Sequence, residues 1–182
     1  MGHENAGPVL GMIEGDKLIH KGGRVDLLMR TVTTNSGKTQ TREVVLHQGA
    51  VIILPVLEDG RVVLIRNRRH TIMDTLVELP AGTLERGEDP AVCAARELTE
   101  ETGYTADRIE PLGWFYTSPG ILTEKMYAFV ATGLKKGTQG LEDNEQIEVV
   151  PTERAEVMRM IEENVIVDAK TIATVLKYFI RR

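Results

Sequence analysis

Gly82-Thr-Leu-Glu-Arg-Gly-Glu88-Asp89-Pro90-Ala-Val-Cys93-Ala-Ala-Arg96-Glu97-Leu98-Thr-Glu100-Glu101-Thr-Gly103-Tyr104 reads as a loop, a helix and a stop. Asp89 is a good N-cap, because its carboxylate can accept the unpaired N–H groups of a first turn. Pro90 suits the first helical position, where an N–H has no partner in any case. Gly103 suits the stop, which calls for a left-handed backbone. The spacing therefore predicts a helix over 90–102. On it Glu97 and Glu101 are four apart and share a face, and Glu100 adjoins both. Each like-charged i, i+4 pair costs about 0.2–0.5 kcal/mol, and the negative end of the helix dipole disfavours anions further. A cation should compensate. Hard oxygen ligands of this kind select Mg²⁺ or Mn²⁺, and Arg96 is placed to support the cluster through Glu88 or Glu100. A solvated acidic face is the plain alternative, but it explains only the acids and leaves the rest of the pattern unaccounted for.

That pattern is Gly-x5-Glu-x7-Arg-Glu-U-x-Glu-Glu-x-Gly-U, with Leu98 and Tyr104 at the bulky apolar positions. It resembles the signature box of the Nudix hydrolases, and seven fixed positions would match by chance in roughly one chain in a million. The resemblance implies an α/β fold, an α/β/α sandwich whose box forms loop–helix–loop. It implies hydrolysis of a nucleoside diphosphate linked to another group, by attack of water on phosphorus. It also implies Mg²⁺, with Mn²⁺ as a substitute, on Glu97, Glu100, Glu101 and the backbone carbonyl of Ala81. The chemistry is consistent: a divalent ion neutralises and orients a diphosphate and activates water.

Glu78-Leu79-Pro80-Ala81-Gly82, directly before the box, looks like the equivalent run in the ADP-ribose and ADP-sugar pyrophosphatase branch. Pro119 lies close to that branch's marker proline, and Glu124 follows it. Asp168-Ala169-Lys170-Thr171 also looks familiar from this branch. The resemblance implies substrate contacts at Glu78, Pro119, Glu124 and Arg69, although Asn67-Arg68-Arg69 departs from the usual Gln-aromatic-Arg. Arg suits bidentate anion recognition, which favours a phosphate or ribose contact for Arg69, whereas Arg61 reads as a solvated turn residue.

The base for water attack is expected from Gly137 to Gln146, a polar loop carrying Glu142, Asp143 and Glu145. Relatives use a loop glutamate there, and Glu145 aligns best, with Asp143 next. Glu142 reads equally well as solvated. Cys93 and the methionines read as packing residues, and Trp114, Phe115 and Tyr116 as strand and core residues, with a substrate-pocket lining as the alternative for one of them.

Outward from this centre, Ala50 to Leu54 is a continuous apolar run, as in a strand buried on both faces. Glu58-Asp59-Gly60 turns it into a strand over 61–66, and a further strand is expected from Ile147 to Val150. Two helices should close the chain, one from Thr152 or Glu153 to Glu163. In the other, capped by Asp168, Ile172, Val175, Leu176 and Phe179 line one face. Earlier, 17–46 alternates as strands do, with a turn at Asn35 to Lys38. The chain thus divides into a tail and strand module over 1–46, with residues 1–14 as a loose tail, and a catalytic domain over 47–182. In relatives that module exchanges across a homodimer.

The 182 residues are 42% hydrophobic and 27% charged, with a net charge of −5, which excludes intrinsic disorder as the main state and argues against a nucleic-acid partner. One cysteine excludes a disulfide framework. No secretory leader is expected over Met1 to Met12 and no apolar run is long enough for a membrane helix, so a cytoplasmic location and no membrane partner are expected. Residues 78–101 hold seven acids and two bases, and residues 142–148 four acids and no base. These two stretches carry more than the whole net charge.

The expected activity is metal-dependent hydrolysis of a nucleotide sugar, ADP-ribose before others, to AMP and ribose 5-phosphate. GDP-mannose or another nucleotide sugar, such as ADP-glucose, is the alternative substrate. A non-catalytic ligand sensor of the same fold is the rival, and it typically lacks box carboxylates that are all present here.

Overall fold

Ala50–Pro55 is buried along its whole length, and the core is arranged around it. The computed structural model describes residues 11–181. The leader expectation for Met1 to Met12 and most of the expected tail lie outside them. Described in chain order, the strands are β1 (Lys17–Lys21), β2 (Val25–Thr33), β3 (Thr39–His47), β4 (Ala50–Pro55), β5 (Val62–Arg69), β6 (Asp74–Glu78), β7 (Ala81–Thr83), β8 (Tyr104–Tyr116), β9 (Lys125–Lys136) and β10 (Ile147–Thr152). The helices are α1 (Pro90–Thr102), α2 (Arg154–Glu162) and α3 (Ala169–Ile180).

The chain forms two compact units. One runs up to Gly49 and includes Tyr116–Lys125; the other is Ala50–Phe115 with Met126–Arg182. In the first unit β1, β2 and β3 form an antiparallel sheet in which Val25 faces His47 and Thr33 faces Thr39. Its 116–125 segment is bound to β3: Val45 N–H donates to Ile121 O at 2.8 Å and Thr123 N–H to Val45 O at 3.0 Å. The residues between β2 and β3 turn as expected.

The second unit holds two sheets, ordered β10-β5-β6 and β7-β4-β9-β8. Period-two alternation explains how β4 can be apolar throughout. Ala50, Ile52 and Leu54 join a cluster with Val157, Ile166, Val175 and Tyr178 of α2, α3 and the turn between them. Val51 and Ile53 point the other way, into a cluster with Cys93, Ala94 and Leu98 of α1. Each valine, leucine or isoleucine among them, taken fully out of water, contributes about 1.5–3 kcal/mol. Helices therefore cover both faces of the strand layer, as an α/β/α sandwich requires.

The expected limits of α1 are observed. Of the closing helices, α3 is capped by Asp168 as expected, and α2 has Glu153 as its N-cap and ends at Glu162, one residue early. Two expectations fail. Trp114 and Tyr116 lie on β8 but remain 48% and 41% exposed, because the outward positions of a strand face away from the core. Met126 is buried, whereas Met73 is exposed, since it sits at the tip of the β5–β6 hairpin with a φ of 55°.

Asp89→Ala removes the acceptor of the Ala91 and Val92 N–H groups. Urea unfolding should show a loss of about 1 kcal/mol, with the denaturant slope unchanged.

Candidate metal and hydrolase centre

The position of α1 follows from its two ends and one face. Asp89 Oδ1 accepts from Ala91 N–H at 2.8 Å and more weakly from Val92 N–H at 3.4 Å. At the other end Gly103 has φ 72° and donates to Thr99 O at 2.8 Å. Cys93, Ala94 and Leu98 dock on β4 and its neighbours, and at 100° per residue Glu97 and Glu101 share that inward face while Arg96 and Glu100 lie at its edge. Burial pushes the Cys93 thiol up to about 12, which leaves it a packing residue.

Glu97 explains the first glycine of the box. A Cβ added at Gly82 would lie 1.8 Å from the Glu97 carboxyl carbon, so the acid occupies the place of a side chain. Arg96 holds the neighbourhood together. Its Nε and Nη2 donate to Glu88 at 3.0 and 3.1 Å, and its Nη1 to Glu97 at 2.8 Å and Glu100 at 3.0 Å. One guanidinium thereby ties the loop before the helix to two helix acids, using the fork of donors that lysine lacks. Arg96 holds Glu88 down at about 2.

Glu101 has less support. It is 4% exposed, and Ala81 N–H donates to its Oε2 at 2.8 Å. Burial pushes its carboxyl up to about 8; Glu97 and Glu145 add to the rise, and the Ala81 N–H and Arg69 oppose it. Glu97 is raised too, by burial first and then by Glu100 and Glu145, with Arg96 opposing. Glu145 of the polar loop therefore acts electrostatically on both helix acids.

Arg69 and Glu78 are brought together. Arg69 Nε donates to both Glu78 carboxylate oxygens at 3.0 and 3.1 Å, and Nη2 makes a third, shorter bond. Glu78 is 1% exposed, so this guanidinium compensates a buried charge and is fixed in orientation by it.

The loop is fastened to the C-terminal end of α1, where carbonyls lack helical partners. Gly140 N–H donates to Glu100 O at 3.0 Å, Gly137 N–H to Gly103 O at 2.6 Å, and Gln139 Nε2 to Glu101 O at 2.7 Å. Further along, Glu142 N–H donates to Glu145 Oε2 at 2.9 Å. Asp143 is exposed and Glu145 half-buried. Gln139 escaped the sequence reading, because a lone glutamine 38 residues from its acceptor leaves no local signal.

Pro119 and Glu124 belong to the first unit. There Glu124 accepts from Thr117 Oγ1 at 2.6 Å and lies 3.5 Å from His47 Nε2. Gly49 N–H donates to His47 Nδ1 at 3.0 Å, which leaves Nε2 to carry the proton toward Glu124. Arg61 pairs with Asp59 in its own turn, as a solvated turn residue would.

Among the described residues no three acidic, imidazole or thiol groups converge as a metal-ligand set. Glu97 and Glu100 are turned onto Arg96, and Glu101 onto Ala81 N–H. The donor chemistry nevertheless fits a hard divalent ion. Three carboxylates project from one helix end, two of them are raised by burial, and a cation would offset that cost.

Comparison with known proteins agrees with this geometry. A family model described as the NUDIX domain matches residues 46–175. The chain is 38% identical over 155 residues to a Bacillus subtilis (strain 168) protein named ADP-ribose pyrophosphatase, covering 84% of each. It is equally identical over 159 residues to a Bacillus methanolicus protein named methanol dehydrogenase activator, covering 86% of each. A crystal structure of an ADP compounds hydrolase matches with a TM-score of 0.80, over 92% of this chain and 91% of that one. At 21% identity that likeness is one of fold.

The Glu101 carboxyl titrates near 8 in the fold, against 4.5 for an ordinary glutamate. The native state therefore keeps a proton that the unfolded chain releases. Its contribution to stability is full below about 4.5 and is lost as the pH rises through about 8. In chelator, the Tm advantage of Glu101→Gln over the parent should grow across that window. A constant difference from pH 4.5 to 8 would contradict the burial of this charge.

Proposed function

The chain belongs to the NUDIX domain family, and from that premise we propose that it hydrolyses the pyrophosphate of a nucleoside diphosphate sugar. ADP-ribose is the preferred substrate, giving AMP and ribose 5-phosphate. The observation that carries the reading is the pair of acids, half-buried Glu97 and buried Glu101, on the box helix beside the Ala81–Gly82 backbone. In this proposal Glu97, Glu100, Glu101 and the Ala81 carbonyl hold Mg²⁺ or Mn²⁺. The ion, when bound, supplies charge neutralisation for the diphosphate and lowers the pKa of the attacking water.

The remaining roles belong to the protein. Glu145 takes a proton from the attacking water, and its place within electrostatic reach of Glu97 and Glu101 supports this assignment over Asp143. Arg69, held on two of its nitrogens by Glu78, presents the rest of its guanidinium to phosphate or ribose. Arg96 keeps Glu88, Glu97 and Glu100 together between turnovers. Pro119 and Glu124 contribute to recognition of the substrate. The strands over 17–46 form a dimerisation module, the protein acts as a homodimer, and it works in the cytoplasm. Among the described residues no helix is long and apolar enough to cross a membrane.

Steady-state kinetics on a panel of nucleotide sugars with Mg²⁺ should give the highest kcat/KM for ADP-ribose; a large preference for GDP-mannose would reassign the substrate. Glu101→Gln should lower kcat by about 10²-fold or more, since it removes both a ligand and a charge; full hydrolysis by this variant would instead favour a role for the helix acids outside catalysis. Glu145→Gln should lose about 10²–10⁴-fold in kcat and Asp143→Asn much less. The reverse order would make Asp143 the base.

A further inference from the structure

Asp168-Ala169-Lys170-Thr171 has no part in the chemistry above, yet one of its side chains reaches the backbone two residues before Ala81. Between Glu78 and Ala81 the chain leaves one sheet and enters the other. Glu78 still faces Ile65 of β5, and Ala81 already faces Ile52 of β4. The two residues between them have no ladder partner on either strand. Pro80 has no N–H to satisfy, and its carbonyl accepts from Ile53 N–H at 2.9 Å. Leu79 is fully buried, so its N–H needs an acceptor inside the protein.

Thr171 supplies that acceptor. Leu79 N–H donates to Thr171 Oγ1 at 2.9 Å, and Thr171 Oγ1 donates in turn to Asp168 Oδ2 at 2.7 Å. A hydroxyl has a single hydrogen. Because Asp168 takes it, the oxygen is left as an acceptor pointing at Leu79. Asp168 Oδ2 also accepts Thr171 N–H at 2.9 Å, and Lys170 pairs with the other carboxylate oxygen. Thr174, one turn on and equally buried, offers a contrast: its hydroxyl returns to Lys170 O at 2.8 Å within the same helix. Of these two threonine hydroxyls, that of Thr171 leaves α3.

Three consecutive residues of the crossover are thus pinned to three different elements: Leu79 to α3, Pro80 to β4, and Ala81 to Glu101 of α1. We infer that Thr171, oriented by Asp168, is a positioning residue for the metal centre, holding the Leu79–Ala81 backbone so that Ala81 stays against Glu101. The inference rests on the reading of Ala81 and Glu101 as metal ligands.

The test compares Thr171→Val, which keeps the shape and removes the hydroxyl, with Thr171→Ser, which keeps the hydroxyl, and with Glu101→Gln. Mn²⁺ affinity is read by electron paramagnetic resonance without substrate, and kcat and KM are read with ADP-ribose. Thr171→Val should bind Mn²⁺ about 10-fold or more weakly, in the range seen when groups that orient metal ligands are removed. Its kcat should fall with KM little changed, and Thr171→Ser should restore both. Parental Mn²⁺ affinity and kcat in Thr171→Val, with only Tm lowered, overturns the inference. If Glu101→Gln leaves Mn²⁺ affinity intact, the ligand reading beneath it fails instead. Should Thr171→Val not fold, Asp168→Asn stands in its place: weakened Mn²⁺ affinity supports the positioning role, and parental affinity overturns it.

Discussion

A carboxylate buried in the last turn of a helix is opposed twice, by the loss of hydration and by the negative end of the helix dipole. Glu101 is in that position, with one backbone N–H at 2.8 Å as its hydrogen-bond partner. Much of the surrounding structure follows from keeping it there. Ala81 must present its N–H, so the crossover from β6 to β7 must hold its course. Arg69 brings positive charge nearby, but Glu78 fixes it first. Gln139 and Gly140 bind the carbonyls of Glu101 and Glu100, which relieves the helix end and anchors the polar loop at the same point.

Arg96 shows how such a cluster is held without collapsing. Its contacts to Glu88, Glu97 and Glu100 spread one positive charge over three acids. Glu88 is thereby held far below the usual carboxylate range, while Glu97, for which desolvation outweighs the pairing, still rises. The two acids differ because Glu88 receives two bonds from the guanidinium. Glu97 is instead pressed into the gap that Gly82 leaves. Burial and pairing therefore act on neighbouring groups in opposite senses, and the raised pair is the one suited to take up a cation.

The scaffold gives this arrangement its rigidity. β4 sends alternate side chains to the two apolar clusters, so both helical layers refer to a single strand. β7, which carries the start of the box, is paired to β4 through Ala81, Gly82 and Thr83. The helix and the backbone that faces it are consequently fixed to the same element.

The limits of α1, the shared face of its acids and the buried character of Ala50–Leu54 were readable from the sequence. Caps, helical spacing and apolar runs act within a few residues, so a short window contains their causes. Box spacing also made the family recognisable, and with it the ligand and base candidates. Trp114 and Tyr116 were misread because aromatic character alone does not say which face of a strand meets the core. Other features needed the tertiary structure: Glu101 buried against Ala81, Glu97 filling the space over Gly82, Glu78 taking Arg69, and Thr171 reaching Leu79 across 92 residues. Each depends on which distant segments the core brings together. The sequence by itself determined which acids stand on one helix face. Only the packed fold decided which of them lose their water, and that loss is what separates a cation-seeking centre from an acidic surface.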